Sequence, residues 1–233
     1  MKAIHTLTAF TLIALASTAN AGALIEGFDD VTTLGGKGWS FINNSTSAGS
    51  NWFQGNDGIF SSQRGAANSY VSASYTSTNS LSGTISNWLL TPTLSLHGGE
   101  TLSFFTRTEA VGSDDKAFAD RLEVRLSRQG GSANVGSDAN SLGDFSMLLT
   151  AVNSDLTPTG FPSDWKMFSV VIPDMKGLAD ARIGFRYWVT DAGANGSNGN
   201  YIGLDTISVV PVPSTLACLG LGLIGMAVRR RRQ

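Results

Sequence analysis

RLEVRLS, residues Arg121 to Ser127, alternates apolar and charged side chains without a break. Successive side chains of a β-strand point to opposite faces. Leu122, Val124 and Leu126 therefore share one face and Arg121, Glu123 and Arg125 the other, as a half-buried strand requires. ARIGFRYWV, Ala181 to Val189, repeats the period, with Ile183, Phe185, Tyr187 and Val189 set against Arg182, Arg186 and Trp188. Further strands are read in ALIEGF near the start, YVSASY (Tyr70 to Tyr75), TLSFFTRT (Thr101 to Thr108), KMFSVVI (Lys166 to Ile172) and YIGLDTISV (Tyr201 to Val209). Turn clusters such as HGGE, RQGGSANVGSD and DAGANGSNGN separate them. NWLLTPTLSL, Asn87 to Leu96, is expected to bury Trp88 and Leu90 in the core, with Pro92 closing the strand. A short helix is expected only within Asp138 to Val152. Many short strands joined by Gly- and Asn-rich connections predict an all-β fold, an antiparallel β-sandwich or jelly roll.

The two ends of the chain carry a different pattern. Lys2, the apolar stretch LTAFTLIALA and the small residues STANA have the three-part layout of a secretory signal peptide, with Ala19 and Ala21 in an A-x-A arrangement. Signal peptidase is expected to cut after Ala21, leaving residues 1–21 behind. At the other end, Ser214 to Val228 carries no charge, and Leu216, Leu219, Leu221, Leu223 and Ile224 give it an apolar character. Arg229, Arg230, Arg231 and Arg232 follow directly. This run falls short of the ~20 residues that span a bilayer comfortably, so a transient or processed span in the inner membrane is expected. The arginines would stay on the cytoplasmic side. Pro211 and Pro213 punctuate the junction. The expected organisation is a signal at 1–21, a β-sandwich at 22–209 and an apolar, Arg-terminated helix at 210–233.

Composition limits what lies between. Setting aside Lys2 and the four terminal arginines leaves 11 Lys and Arg against 18 Asp and Glu, so the exported body carries a formal −7. Such a surface excludes nucleic acid as a partner, because phosphates are held chiefly by Lys and Arg. Five Trp, twelve Phe and 42% apolar residues are too many for a disordered secreted chain. The single cysteine, Cys218, sits in the apolar tail, reads as a filler of that segment, and leaves the body without a disulfide.

The tail from Val210 to Arg232 resembles the PEP-CTERM sorting signal, a proline-flanked motif followed by a short apolar helix and an arginine cluster. Val212 stands where the namesake Pro-Glu-Pro has its acid. The resemblance implies an exosortase-like processing enzyme acting around Val210, Pro211, Pro213 and Ser214, in a Gram-negative bacterium that makes exopolysaccharide. A second resemblance covers most of the body. Glu26-Gly27-Phe28 with Gly38-Trp39 downstream, NWLLTPTLSL followed by LSFFTRT, DRLEVRLS, the lone Trp165 and the close IGFRYW to YIGLDTISV are similar to MAM-like or cleaved-adhesin jelly rolls. Bacterial proteins combining such a domain with interchangeable C-terminal anchors form the choice-of-anchor J family. The closing strand here reads Leu204-Asp205-Thr206, where the family keeps a second carboxylate.

The resemblance implies an exported cell-surface or matrix protein with an adhesin-like binding module, not an enzyme. The alternatives are a carbohydrate-binding module for exopolysaccharide or other surface glycans, and a hydrolase working with two carboxylates. His5 leaves with the signal, His97 lies in a Gly-rich turn, and no nucleophile elbow accompanies it. Zinc fails for want of Cys and His ligands. Calcium, a hard cation, takes carboxylate and carbonyl oxygens. The resemblance implies a structural calcium near Glu26 on the first strand and Asp205 on the last, and Asp57 of the NDG turn could add a third carboxylate. In the competing reading, Glu26 and Asp205 are edge carboxylates satisfied by Arg182 or Arg186. DAGANGSNGN, Asp191 to Asn200, lacks the closing glutamate of an EF-hand, Ile202 standing there, and is expected to be a flexible hairpin connection. Trp52, Phe53, Trp188 and Tyr201 could stack on sugars, but such rings more often fill the core, and none is named as a binding residue.

Overall fold

The structure, a computed structural model, describes residues 24–110 and 118–211. Both terminal segments, and with them the expected flanking helices, Ala19, Ala21, Pro213, Ser214, Leu216, Leu219, Leu221, Leu223, Ile224 and Arg229 to Arg232, lie outside the described residues. The strands are β1 Leu24–Glu26, β2 Ser40–Asn43, β3 Phe53–Gln54, β4 Val71–Ser74, β5 Gly83–Leu90, β6 Leu94–Leu96, β7 Thr101–Thr108, β8 Leu122–Ser127, β9 Met147–Val152, β10 Lys166–Val171, β11 Ala179–Ala192 and β12 Tyr201–Val210. The helical turns among the described residues are two short 3-10 segments, Val31–Lys37 and Tyr75–Ser77.

The strands form two six-stranded antiparallel sheets. The first runs β10-β7-β12-β4-β3, with β1 also on β12; the second runs β2-β5-β11-β8-β9, with β6 also on β11. Without β1, β2, β3 and β6, the orders β4-β12-β7-β10 and β5-β11-β8-β9 interleave in sequence as the two sheets of a jelly roll do. The all-β sandwich expected from periodicity is thus present. First and last strands pair, Leu24 opposite Val209 and Glu26 opposite Ile207.

The inner faces of both sheets meet in one core that includes Phe28, Leu34, Ile85, Leu89, Phe104, Leu122, Val124, Phe185, Tyr187, Ile202 and Leu204. Burying side chains of this size contributes about 1.5–3 kcal/mol each. The alternation in RLEVRLS correctly assigns Leu122, Val124 and Leu126 to this core. It does not make the other face wet, because every residue of β8 is buried. Chain segment 129–146 arches over the outer face of the second sheet, and Val135 and Phe145 pack there on Trp88 and Leu90. Trp88 and Leu90 are therefore buried as expected, but in this smaller outer cluster, while Leu89 points into the main core. Gly184 permits the close approach: a Cβ there would lie 3.0 Å from Leu90 Cδ2 and 3.1 Å from Phe145 Cδ1.

Two local expectations are corrected. Asp138 to Val152 forms turns and then β9 rather than a helix; Asp138 instead accepts hydrogen bonds from the Asn140 and Ser141 amides, a polar turn that competes with helix formation. The 191–200 loop joins β11 to β12, which lie in different sheets, so it is an inter-sheet crossing and not a hairpin.

Candidate functional site

Glu26 and Asp205 are buried but do not meet in a shared cage. Glu26 Oε1 accepts from the Phe28 amide at 2.9 Å and its Oε2 pairs with Lys37 Nζ at 3.1 Å. Asp205 Oδ2 accepts from the Gln63 and Arg64 amides at 2.9 and 3.2 Å, and its Oδ1 from the Thr206 amide at 2.5 Å. Burial pushes the Asp205 carboxyl up to about 6, against these amides, which pull it down. Asp57 is exposed in its turn. Among the described residues no three His, Cys, Asp or Glu side chains gather as a metal site would need. The partners of Glu26 and Asp205 are N–H and ammonium donors together with the Thr206 hydroxyl, all of which donate to the carboxylates and occupy the oxygens a cation would need, so this donor set does not fit calcium. Neither expected guanidinium serves these acids. Arg182 donates to the Thr91 and Gly38 carbonyls and to Ser40, and Arg186 goes to Glu123.

The charges of RLEVRLS work under the 129–146 cover. Glu123 binds Arg125 at 2.8 Å and Arg186 at 3.1 Å. Arg186 also donates to the Ala139 carbonyl at 2.6 Å, which ties the cover to the sheet. Burial tends to raise the Glu123 carboxyl, but Arg125 and Arg186 outweigh it and hold it below the usual range. Aromatic rings continue the network: the Arg186 guanidinium lies 4.9 Å from the Trp88 ring centroid and 4.7 Å from that of Trp188, with Arg121 at 3.9 Å on Trp188. This region is a structural clamp.

The four aromatics read as sugar stackers go elsewhere. Trp52 is buried and donates Nε1 to the Asn87 carbonyl. Tyr201 is buried, its hydroxyl 2.6 Å from Ser72 Oγ and 3.2 Å from the Tyr70 hydroxyl. Trp188 is held between Arg121 and Arg186. Phe53 lines an apolar groove of about 470 Å³ with Val31, Phe41 and Trp52.

A cleft of about 380 Å³ with mixed lining opens beside the 191–200 loop, where Tyr75 and Phe118 face Gly193, Asn195, Gly196 and Asn200. Its walls are tied down at several points. The Asn195 amide donates to Leu81, Gly199 to Ala119, Asn198 to Asp191, and Tyr75 to the Asn200 carbonyl. Gly193 has φ +119°, and a Cβ there would lie 2.2 Å from the Ser80 carbonyl, so the sequence must be Gly for the loop to seat this closely. Beneath it Asp120 is fully buried: Oδ1 accepts from the Tyr187 hydroxyl at 2.5 Å and the Asn200 amide at 2.9 Å, and Oδ2 from the Thr108 hydroxyl at 2.6 Å. Burial raises the carboxyl of Asp120, with those three donors opposing. It is sealed from solvent and holds the loop, and so is not presented as an acid or base to the cleft. The flexible connection expected from DAGANGSNGN is thus an anchored one. Sequence reasoning missed Asp120 and Tyr75, since each closes a strand-flanking segment and acquires its role only through Asn200, far along the chain. The Gly and Asn content of 191–200 was the available signal.

His97 sits in its Gly-rich turn, where Glu100 accepts from the His97 and Gly98 amides at 2.8 Å each. Of the expected processing residues, Val210 ends β12 and Pro211 follows it outside the strand, both exposed. Among the described residues no helix is long and apolar enough to cross a membrane.

A sandwich ending at Val210 with an apolar, Arg-terminated tail defines a class of protein, a β-sandwich domain delivered by a C-terminal signal. The tail matches the PEP-CTERM protein-sorting motif over residues 209–232. The chain therefore carries the sorting signal of an exported protein. No curated protein matches the chain in sequence. Among solved structures, the K1 cleaved adhesin domain of Lys-gingipain from Porphyromonas gingivalis W83 is similar with TM-score 0.54 at 19% identity, over 82% of this chain and 99% of that one. The K3 cleaved adhesin domain of the same protein gives 0.48 at 19%, over 81% and 98%. A xylan-binding module gives 0.42 at 10%, over 81% and 95%. The K1 similarity shows a shared sandwich fold.

Proposed function

We propose that this chain is a cell-surface or matrix binding module of the choice-of-anchor J type, adhesin-like and non-catalytic. Signal peptidase cuts after Ala21. The segment from Ser214 to Arg232 then holds the protein in the inner membrane until an exosortase-like enzyme acts near Pro211 to Ser214. The observation that carries this reading is the position of the sorting motif, which begins at the last residues of β12, where the folded domain has already closed. A cut after Val210 would leave every strand intact.

Replacing Arg229, Arg230, Arg231 and Arg232 together by Gln in the producing bacterium tests it. Losing the charges that keep the C-terminus inside should collapse the yield of the processed surface form and leave uncut precursor. An unchanged ratio of processed to uncut protein would overturn the reading. Carbohydrate binding is the second reading, favoured by the anchored cleft with exposed Tyr75 on its wall. The hydrolase alternative finds no support in Asp120, which is sealed from solvent.

A further inference from the structure

We infer that the cleft between Tyr75 and the 191–200 loop is a binding site for a neutral glycan. The inference specifies the site for the carbohydrate-binding reading and rests on it. Tyr75 is 44% exposed, although most aromatic rings of the domain are buried in its clusters. Its exposed ring is an apolar wall of the kind on which the CH face of a pyranose stacks, and Phe118 lines the cleft beside it. Asn195 and Asn200 line the same space. Their side-chain amides make no hydrogen bond among the described residues, so each offers donors and an acceptor to sugar hydroxyls.

Charge narrows the ligand class. None of the described lining residues is ionisable at neutral pH, and the nearest buried acid, Asp120, is occupied by Tyr187, Thr108 and Asn200. A sulfated or uronic glycan would find no cation among these residues to pair with, and a cationic ligand no free carboxylate. A neutral sugar needs no charged partner among these described residues. The site is also pre-formed, because the backbone bonds from Asn195, Gly199 and Tyr75 fix both walls before any ligand arrives. Little ordering cost is left for binding.

The test is titration calorimetry of the purified protein against a panel of neutral and anionic oligosaccharides, with Tyr75→Ala, Asn195→Ala, Tyr75→Phe and Met167→Ala as variants. Saturable binding of a neutral member is expected. Tyr75→Ala should weaken it about tenfold or more, with an unchanged melting temperature. Asn195→Ala should weaken it severalfold, while Tyr75→Phe keeps most of the affinity and Met167→Ala, on edge strand β10, all of it. The site is overturned if binding survives Tyr75→Ala unaltered, or if only anionic members bind. Silence across the whole panel, with a normal melting curve, would overturn the carbohydrate reading itself. Neither outcome bears on export, which the arginine replacement reads separately.

Discussion

Each sheet of the sandwich has a covered outer face, and the two covers rest on different chemistry. On the second sheet, segment 129–146 lies over Glu123, Arg125, Arg186 and Trp88, a face dense in charge and yet dry. On the first, Phe60, Tyr70, Tyr201 and Trp165 form an aromatic cover on β4 and β12, with Asp205 buried beside it. That cover stops short of the edge, leaving Ile25, Met167 and Val171 exposed at 76%, 58% and 60%. Glu123 faces guanidiniums, which hold it low; Asp205 faces backbone amides and the Thr206 hydroxyl, and burial raises it to about 6. A buried carboxylate is thus defined by its partners. Full positive charges make it a clamp, and amide dipoles make it a loop fastener whose charge is only partly compensated.

Removing the acid from the charged cover should have the largest effect. Glu123→Ala leaves Arg125 and Arg186 buried without their anion and is expected to cost about 3–5 kcal/mol in a denaturant unfolding experiment. A loss under about 1 kcal/mol would mean that water, not protein, surrounds this face. Phe145→Ala, which removes the apolar weight of the same cover, should cost about 3 kcal/mol, together with faster exchange of the amides of β5 and β11.

The carboxylate of the aromatic cover should respond to pH in the opposite direction from Glu123. Asp205 has a folded-state value near 6, above the ~3.9 of an unfolded chain. The folded state therefore holds the proton more tightly, and this residue's contribution to stability is present below about pH 4 and lost as pH rises through 6. Glu123, lowered in the fold, contributes above its unfolded value and loses that contribution as pH falls. Carboxyl NMR titration should show Asp205 as a late-titrating acid, with the Gln63 and Arg64 amide shifts moving in step. Calcium should leave the melting temperature unchanged, since ligand linkage needs a site that binds; a rise of several degrees in millimolar calcium that Asp205→Asn abolishes would show that this carboxylate rearranges into a ligand. The smallest effect is expected at the uncovered edge, where Met167→Ser should change stability by no more than about 0.5 kcal/mol.

Periodicity made most of the strands legible. β7 runs over the expected Thr101–Thr108, and β8 and β10 differ from expectation by a residue at one end. What periodicity cannot encode is which face is wet. RLEVRLS and KMFSVVI are both read as strands, yet β8 is buried throughout while β10 leaves Met167 and Val171 in solvent. The reason is position: β8 lies between β11 and β9 beneath a long connection, and β10 is an edge strand bonded to β7 alone. The candidate cleft was hidden for a similar reason. Tyr75, Asp120 and Asn200 are distant in sequence, and only the crossing between sheets brings them together. The expected carboxylates Glu26 and Asp205 were found on the strands named for them, but their partners, Lys37 and the Gln63 and Arg64 amides, come from connections whose path no local pattern fixes.

The central claim is that the fold closes at Val210 and that the residues beyond it are an address removed after delivery. Intact-mass spectrometry of the protein recovered from the surface of its own bacterium tests this directly. The account predicts a mass that begins after Ala21 and ends between Val210 and Ser214, without Arg229 to Arg232. A surface protein that retains those arginines would contradict it and make the tail a permanent anchor.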